Sequence, residues 1–254
     1  MRYTATPQTK FIGQHVLHKP SCASTSSWAA TCLDQGGVPA GTVFITDHQY
    51  QGRGQRGRVW HSAPSQNLTF SIVLYPTFLT ATQGFALSML TVLALRQVLT
   101  AYIPDGLMAK WPNDLYYRDQ KLGGILIENR IVHRHLSASI IGIGLNVNQI
   151  HFEEARPTSL ALICGRKFQL APLLTKFLET LEEGYAALQR HGWAPLQATY
   201  LRYLYWRAEV HTFDYQGQRF QGTIHGIDAL GRLEIVCLDG TTRCYSMQEV
   251  RFVA

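Results

Sequence analysis

Apolar positions along this chain follow two rhythms, and the places where one gives way to the other mark its elements. "GTVFITDHQ" (41–49) and "NLTFSIVLYP" (67–76) are rich in β-branched and aromatic residues and predict strands, the second ended by Pro76. "HVLHK" (15–19) predicts a shorter strand, and "HLSASIIGIGLNVN" (135–148) a long one that runs out into glycine and asparagine. "LMAKWPNDLYYRDQKLGGILIE" (107–128) reads as strand, turn, strand, with Pro112 and Asn113 interrupting its first part and "RDQK" at the hairpin tip. Helical spacing takes over in "STSSWAATCLDQGG" (24–37), where hydroxyls supply an N-cap and Gly36-Gly37 the stop. It returns around 84–102, at 171–190 and at 193–205. From about Ala208 the pattern alternates between short runs, with turns at "YQGQ", "DALG" and "LDGT". That is a meander of short strands, a small barrel-like module beginning near 206–208. Strands mixed with helices, followed by an all-β tail, predict an α+β fold.

Composition sharpens the picture in a few places. The 254 residues are 46% hydrophobic, enough for a substantial core. The most apolar stretch, "FALSMLTVLALRQVLTAY" (85–102), carries Ser88, Thr91, Arg96 and Gln97, and reads as a buried helix rather than a membrane span. With no signal-peptide pattern at the N-terminus, a cytoplasmic protein without membrane attachment is expected. Five cysteines without a C-x-x-C pair predict free thiols and no zinc site. The ten histidines show no metal-binding spacing, so no protein-held metal is expected. A formal net charge of +6 favours an anionic ligand or an acidic partner.

The sharpest local question is posed by "QGRGQRGRVW" (51–60). Arg53, Arg56 and Arg58 repel one another unless an anion sits among them. Glycines let backbone N–H groups approach that anion, arginines grip phosphate or carboxylate with a planar fork, and Trp60 offers a flat face to a ring such as adenine. The bland reading is a basic loop that binds RNA without specificity. Four further stretches add to it. "KWPND" (110–114) sets a lysine and a carboxylate around a fixed turn, or else is a surface ion pair with a buried Trp111. In "QKLGGILIE" (120–128), glycines clear the path to Lys121, although a lysine at a hairpin base is commonly just solvated. "GIGLNVN" (142–148) allows close backbone approach at Gly142 and Gly144 and offers Asn146 to a base edge, without being a dinucleotide fingerprint. "ASTSS" (23–27) caps a helix by default, or donates to a polar ligand there.

Together, in this order and spacing, these stretches resemble the biotin protein ligase family from about Ser24 to Asn148. The resemblance implies a mixed β-sheet catalytic domain flanked by helices over 1–206 and a small SH3-like β-barrel over 207–254. It implies joining of biotin to ATP as biotinyl-5′-adenylate, then transfer of the biotinyl group to a lysine of a biotin carboxyl carrier protein, usually that of an acetyl-CoA carboxylase. Ser24, Thr25, Ser26 and Gln49 are then expected at the biotin rings. Gly52, Arg53 and Gly54 wrap the biotin and the adenylate link. Trp60 packs on adenine and Asn146 reads its edge. Lys121 contacts the biotin carboxylate and the α-phosphate. Asp114 binds the ureido group or helps deprotonate the acceptor lysine. Arg56 and Arg58 add positive charge, and Lys110, Asn113 and Gly123 belong with the binding motifs. Mg2+ accompanies the ATP, held by phosphates and water.

The chain departs from the family in three places. Where the family loop commonly reads G-R-G-R, this one has Gln55, so the adenylate is expected to leak. The first motif begins at Ser24, which leaves no room for the winged-helix domain of repressor relatives, and DNA binding is not expected. "YSMQEV" (245–250) lacks the family's C-terminal Gly-Glu. Monomer and homodimer both remain open. The competing readings are a lipoate ligase, a biotin-binding protein without catalysis, and an RNA-binding module; the last is weakened because the Arg/Gly stretch occurs once and is not continued as a basic tract.

Overall fold

The computed structural model describes residues 7–153, 156–247 and 249–253, with the side chain of Arg56 also left out. The strands are β1 (Val16–Cys22), β2 (Val43–Gln49), β3 (Leu68–Leu74), β4 (Leu107–Lys110), β5 (Asp114–Tyr117), β6 (Gln120–Val132), β7 (His135–Leu145), β8 (Val210–Tyr215), β9 (Gln218–Ile227), β10 (Leu233–Cys237), β11 (Thr242–Tyr245) and β12 (Val250–Val253). The helices are α1 (Thr25–Gln35), α2 (Phe85–Leu99), α3 (Leu160–Cys164), α4 (Leu170–His191) and α5 (Ala194–Arg202).

β1 to β7 form one sheet in the order β1-β2-β3-β7-β6-β5-β4. β1 and β2 run parallel and every other neighbouring pair is antiparallel, so the sheet is mixed. Its two faces differ because side chains alternate along a strand. One face turns Val43, Ile45, Leu68, Phe70, Ile72, Ile141, Ile143 and Leu145 into the main core. There they meet α2 and α4, with Phe70 edge-on to Phe177 at 5.6 Å. α2 lies within this core, which accounts for its apolar composition. The stretch Ala81–Leu99 is long and apolar enough to cross a membrane, but most of it is buried inside the fold.

The opposite face carries α1, whose Ala29 packs on Phe44, Val73 and Ile140. α1 covers only part of that face. Beyond its N-terminus the same face presents Ser71, Gly142, Gly144 and Gly124, small residues that leave a trough.

Pro112 and Asn113 do more than interrupt the 107–128 stretch. They end β4 and start β5, which gives three strands where the sequence pattern suggested two. The last five strands form a second antiparallel sheet, in the order β11-β10-β9-β8-β12. Its outer strands do not pair with each other, so it is an open sheet and not the closed barrel expected. β9 bends so that its first half pairs with β8 and its second with β10. The two sheets are stitched together. Trp111 donates from Nε1 to the Gly231 carbonyl at 2.9 Å, and Tyr205 N–H bonds to the Ala109 carbonyl on the edge strand β4. Trp206, expected at this junction, stacks on His211 with ring centroids 3.8 Å apart.

Candidate active site

The trough is bounded by the start of α1, the 51–60 loop and the β4–β5–β6 corner. At the first wall, Ser24 caps α1 by accepting from Ser27 N–H at 3.5 Å. Thr25 donates to Gln49 Oε1 from both its backbone N–H (2.7 Å) and its hydroxyl (3.1 Å). Thr25 Oγ1 also lies 2.8 Å from Ser71 Oγ, which lies 3.0 Å from Ser26 Oγ. Each hydroxyl has one proton to give. With Thr25's committed to Gln49, the chain runs Ser26 to Ser71 to Thr25 to Gln49. Ser26 reaches the sheet because residue 142 is glycine: a Cβ there would stand 2.5 Å from its Oγ. Ser71, missed in the sequence reading, sits at the centre of this relay. Strand alternation opposite the "STS" run would have pointed to it.

The Gly/Arg loop closes on itself as a narrow ladder. Trp60 N–H bonds to Gly52 O at 3.0 Å and Gly54 N–H to Arg58 O at 2.7 Å, with a single turn of 3-10 helix over Gln55–Gly57 at its tip. Gly52 is required because a Cβ would meet Trp60 O at 2.3 Å. The anion that Arg53 finds here belongs to the protein. Its guanidinium pairs with Glu128 through two bonds, of 2.6 and 3.2 Å, and touches Ser27 Oγ at 3.3 Å. Arg53 therefore fastens the loop to β6 and to α1. Arg58 is exposed yet close enough to act electrostatically on Tyr116, and the side chain of Arg56 lies outside the described residues. Trp60 lies in the trough itself. A Cβ on Gly144 would fall 2.3–2.7 Å from its indole ring, and one on Gly124 would fall 3.2 Å away. Its Nε1 is buried without a partner.

The third wall carries charge. Lys121 Nζ is 2.7 Å from Asp114 Oδ1. The distance is that of an ion pair, but the angle is poor for a hydrogen bond and leaves Oδ1 without a well-aligned donor. Lys121 faces the trough because β6 carries a bulge. Tyr116 pairs with Lys121 and Leu115 with Gly123, so Leu122 is the extra residue. The bulge brings Lys121 onto the same face as Gly124, with Lys121 Nζ 3.3 Å from where a Gly124 Cβ would be. It also corrects one assignment. Gly123 faces Leu115 and Leu145 on the core side, and Gly124 is the glycine that lines the trough. Asn113 is likewise turned away, donating to Ile125 O at 2.6 Å and holding the turn. Lys110 stands opposite Asp114 across the β4–β5 pair and donates to Tyr116 Oη at 3.2 Å. Burial pushes its amine down to about 8, against the opposing pull of Asp114. Burial raises the Tyr116 phenol to about 12. At the far end, Asn146 donates to Thr158 O at 3.0 Å and keeps a buried Oδ1 unpartnered, an acceptor aimed at nothing in the protein.

The site thus combines a hydroxyl relay, a glycine floor under an indole, a lysine–carboxylate pair and an orphan amide oxygen, all on one sheet face. Residues 19–146 match the biotin/lipoate A/B protein ligase family, and the chain belongs to it. Over 244 residues it is 29% identical to the bifunctional ligase/repressor BirA of Bacillus spizizenii, covering 94% of this chain and 74% of that one. Over 193 residues it is 29% identical to the biotin–[acetyl-CoA-carboxylase] ligase of Paracoccus denitrificans, covering 70% of this chain and 78% of that one. The fold is similar to that of the biotin protein ligase from Aquifex aeolicus in complex with biotin and ATP, at a TM-score of 0.79 and 24% identity over 94% of this chain and all of that one.

Proposed function

We propose that this protein is an ATP-dependent biotin protein ligase. The biotin carboxylate attacks the α-phosphate of ATP, giving biotinyl-5′-adenylate and pyrophosphate. The ε-amine of a carrier lysine then attacks the acyl carbon and AMP leaves. The observation that carries the reading is the placement of Lys121, Asp114, Trp60 and Asn146 along one trough that opens from the hydroxyl relay at α1.

The relay from Ser26 to Gln49 suits a ureido ring, whose carbonyl accepts and whose two N–H groups donate. Lys121 stands where carboxylate and phosphate must meet. Two like charges at 4 Å repel by about 4 kcal/mol at an effective dielectric of 20, which a fixed ammonium between them offsets. Trp60 and the orphan Asn146 Oδ1 form an adenine site, the indole supplying a stacking face and the amide an acceptor for an exocyclic amine. Arg53 is a reserve cation: released from Glu128, it can follow the loop onto the adenylate link. Asp114, already beside one ammonium, can accept a proton from the carrier lysine, whose free pKa is about 10.4. Mg2+ arrives with the ATP. Its ligands are mainly the phosphates and water, the usual coordination of this ion with a nucleotide.

The bent β9, shared between both halves of the C-terminal sheet, supports reading that module as an SH3-like barrel left open at one seam. The catalytic unit is 1–206 and the module 207–254. The partner is a biotin carboxyl carrier domain in the cytoplasm, met by a monomer or homodimer. The test is incubation with ATP, biotin and an acetyl-CoA carboxylase carrier domain. A single biotinyl group on one carrier lysine is expected, and its absence under conditions where a known ligase modifies the same carrier contradicts the reading.

A further inference from the structure

Lys110 sits in a cage of three aromatic rings drawn from three parts of the chain. Its Nζ lies 4.4 Å from the Tyr116 centroid, 5.4 Å from Tyr205 and 5.0 Å from Phe252. Tyr116 belongs to β5 and Tyr205 to the segment that pairs with β4. Phe252 lies on β12, the last strand of the C-terminal module. Each ring is itself held. Tyr205 donates from Oη to Asp119 at 2.6 Å, and Phe252 is wedged against Trp206 at 5.3 Å and Phe213 at 5.5 Å. The Phe213 side chain is fully buried in the module's own core. The charged groups acting on Lys110 are Asp114 and Asp119, which favour its ammonium, and Arg156 and Lys121, which oppose it.

We propose that Phe252 is a positioning residue for Lys110: by closing the third side of the cage it makes the seating of the C-terminal module set the position and charge of the second lysine at the site. This gives the module a task in the chemistry. A module that lifts away uncovers Lys110 to water, and one that docks shields it. The proposal rests on the adenylating reading only for its kinetic test.

Removing the Phe252 ring has two opposed effects on the ammonium. Losing the cation–π contact disfavours the charged form, whereas admitting water favours it. Because Lys110 lies well below the ordinary lysine range, shielding outweighs the ring contacts, and the titration is expected to move up on balance.

The experiment uses the full chain and follows acetylation of Lys110 by acetic anhydride across pH, read by peptide mass spectrometry. The wild-type midpoint is expected near 8. In Phe252→Ala it moves up by roughly half a pH unit or more, and in Phe252→Tyr it stays near the wild type. In Phe252→Leu, which keeps most of the apolar cover while removing the ring, the midpoint is expected at or below that of the wild type, and this variant stands in should the alanine variant fail to fold. A parallel measurement follows the basic limb of biotin-dependent ATP–pyrophosphate exchange, expected to shift with the labelling midpoint. An unmoved or lowered midpoint in a folded Phe252→Ala, or a raised midpoint in a folded Phe252→Leu, overturns the proposal. A shifted midpoint in a protein without exchange leaves the cage standing and removes the adenylating reading instead.

Discussion

Gly144 and Trp60 work as one unit, because the indole occupies the space a side chain at 144 would need. In Gly144→Ala the new methyl would begin 2.3 Å from the ring, so the tryptophan must move. Overpacking of this kind costs about 1–3 kcal/mol. Felt at the proposed adenine site, it is expected to raise the KM for ATP roughly tenfold, read by pyrophosphate exchange with secondary structure unchanged. At Asp114, a neutral amide keeps the shape and loses the base. Asp114→Asn is expected to slow transfer to the carrier at least tenfold, by the usual magnitude of general-base catalysis. Transfer at the wild-type rate would remove the base role. Gln55 concerns retention of the intermediate. Glutamine keeps hydrogen-bonding capacity but carries no charge, so Gln55→Arg is expected to slow the release of biotinyl-adenylate into solution, measured by trapping the released species. Most of these residues were legible in the sequence because their chemistry is local: a glycine beside a cation, a lysine before two glycines. Three positions were not. Ser71 belongs to a strand far from α1 in sequence, Glu128 acquires its meaning only when Arg53 comes across to meet it, and the choice between Gly123 and Gly124 depends on a bulge that no residue type announces.

At the scale of elements, the 51–60 loop and β6 are joined by the Arg53–Glu128 pair, which is partly exposed. Pairs of this exposure contribute about 0.2–1 kcal/mol, little to global stability but enough to bias a glycine-rich hairpin between closed and open. Glu128→Gln is therefore expected to speed tryptic cleavage after Arg58 by a few fold while lowering Tm by no more than about 4 °C. Cleavage no faster than in the wild type would show that the loop is held by its backbone ladder alone. The main strands were legible from β-branched runs, α1 from the hydroxyl and glycine punctuation at its ends, and α4 from its helical spacing. The 107–128 region was harder. Pro112 marks an interruption, but only the pairing of Lys110 with Asp114 shows that the chain turns back there and makes a separate β5. The short α3 also escaped notice, since five residues span too little to display a period.

On the scale of the whole molecule, the question is how the C-terminal sheet is attached. Trp111, inside the "KWPND" motif, spends its indole N–H on Gly231 at the turn between β9 and β10. A Trp111→Phe change leaves that buried carbonyl unsatisfied, at a cost of about 1–3 kcal/mol. For a protein of this size each kcal/mol lowers Tm by roughly 2–4 °C, so a drop of several degrees is expected by calorimetry. The alternating pattern after Ala208 announced a β module but not its openness or its contact with Lys110, both of which depend on how β9 bends and where β12 comes to lie. The proposed chemistry turns on one event, the joining of biotin to ATP. Its most direct measurement is ATP–pyrophosphate exchange with biotin and with lipoate in parallel. Exchange that depends on biotin, is absent with lipoate and is abolished by Lys121→Ala is the expected result. Exchange with lipoate alone, or with neither acid, would contradict it.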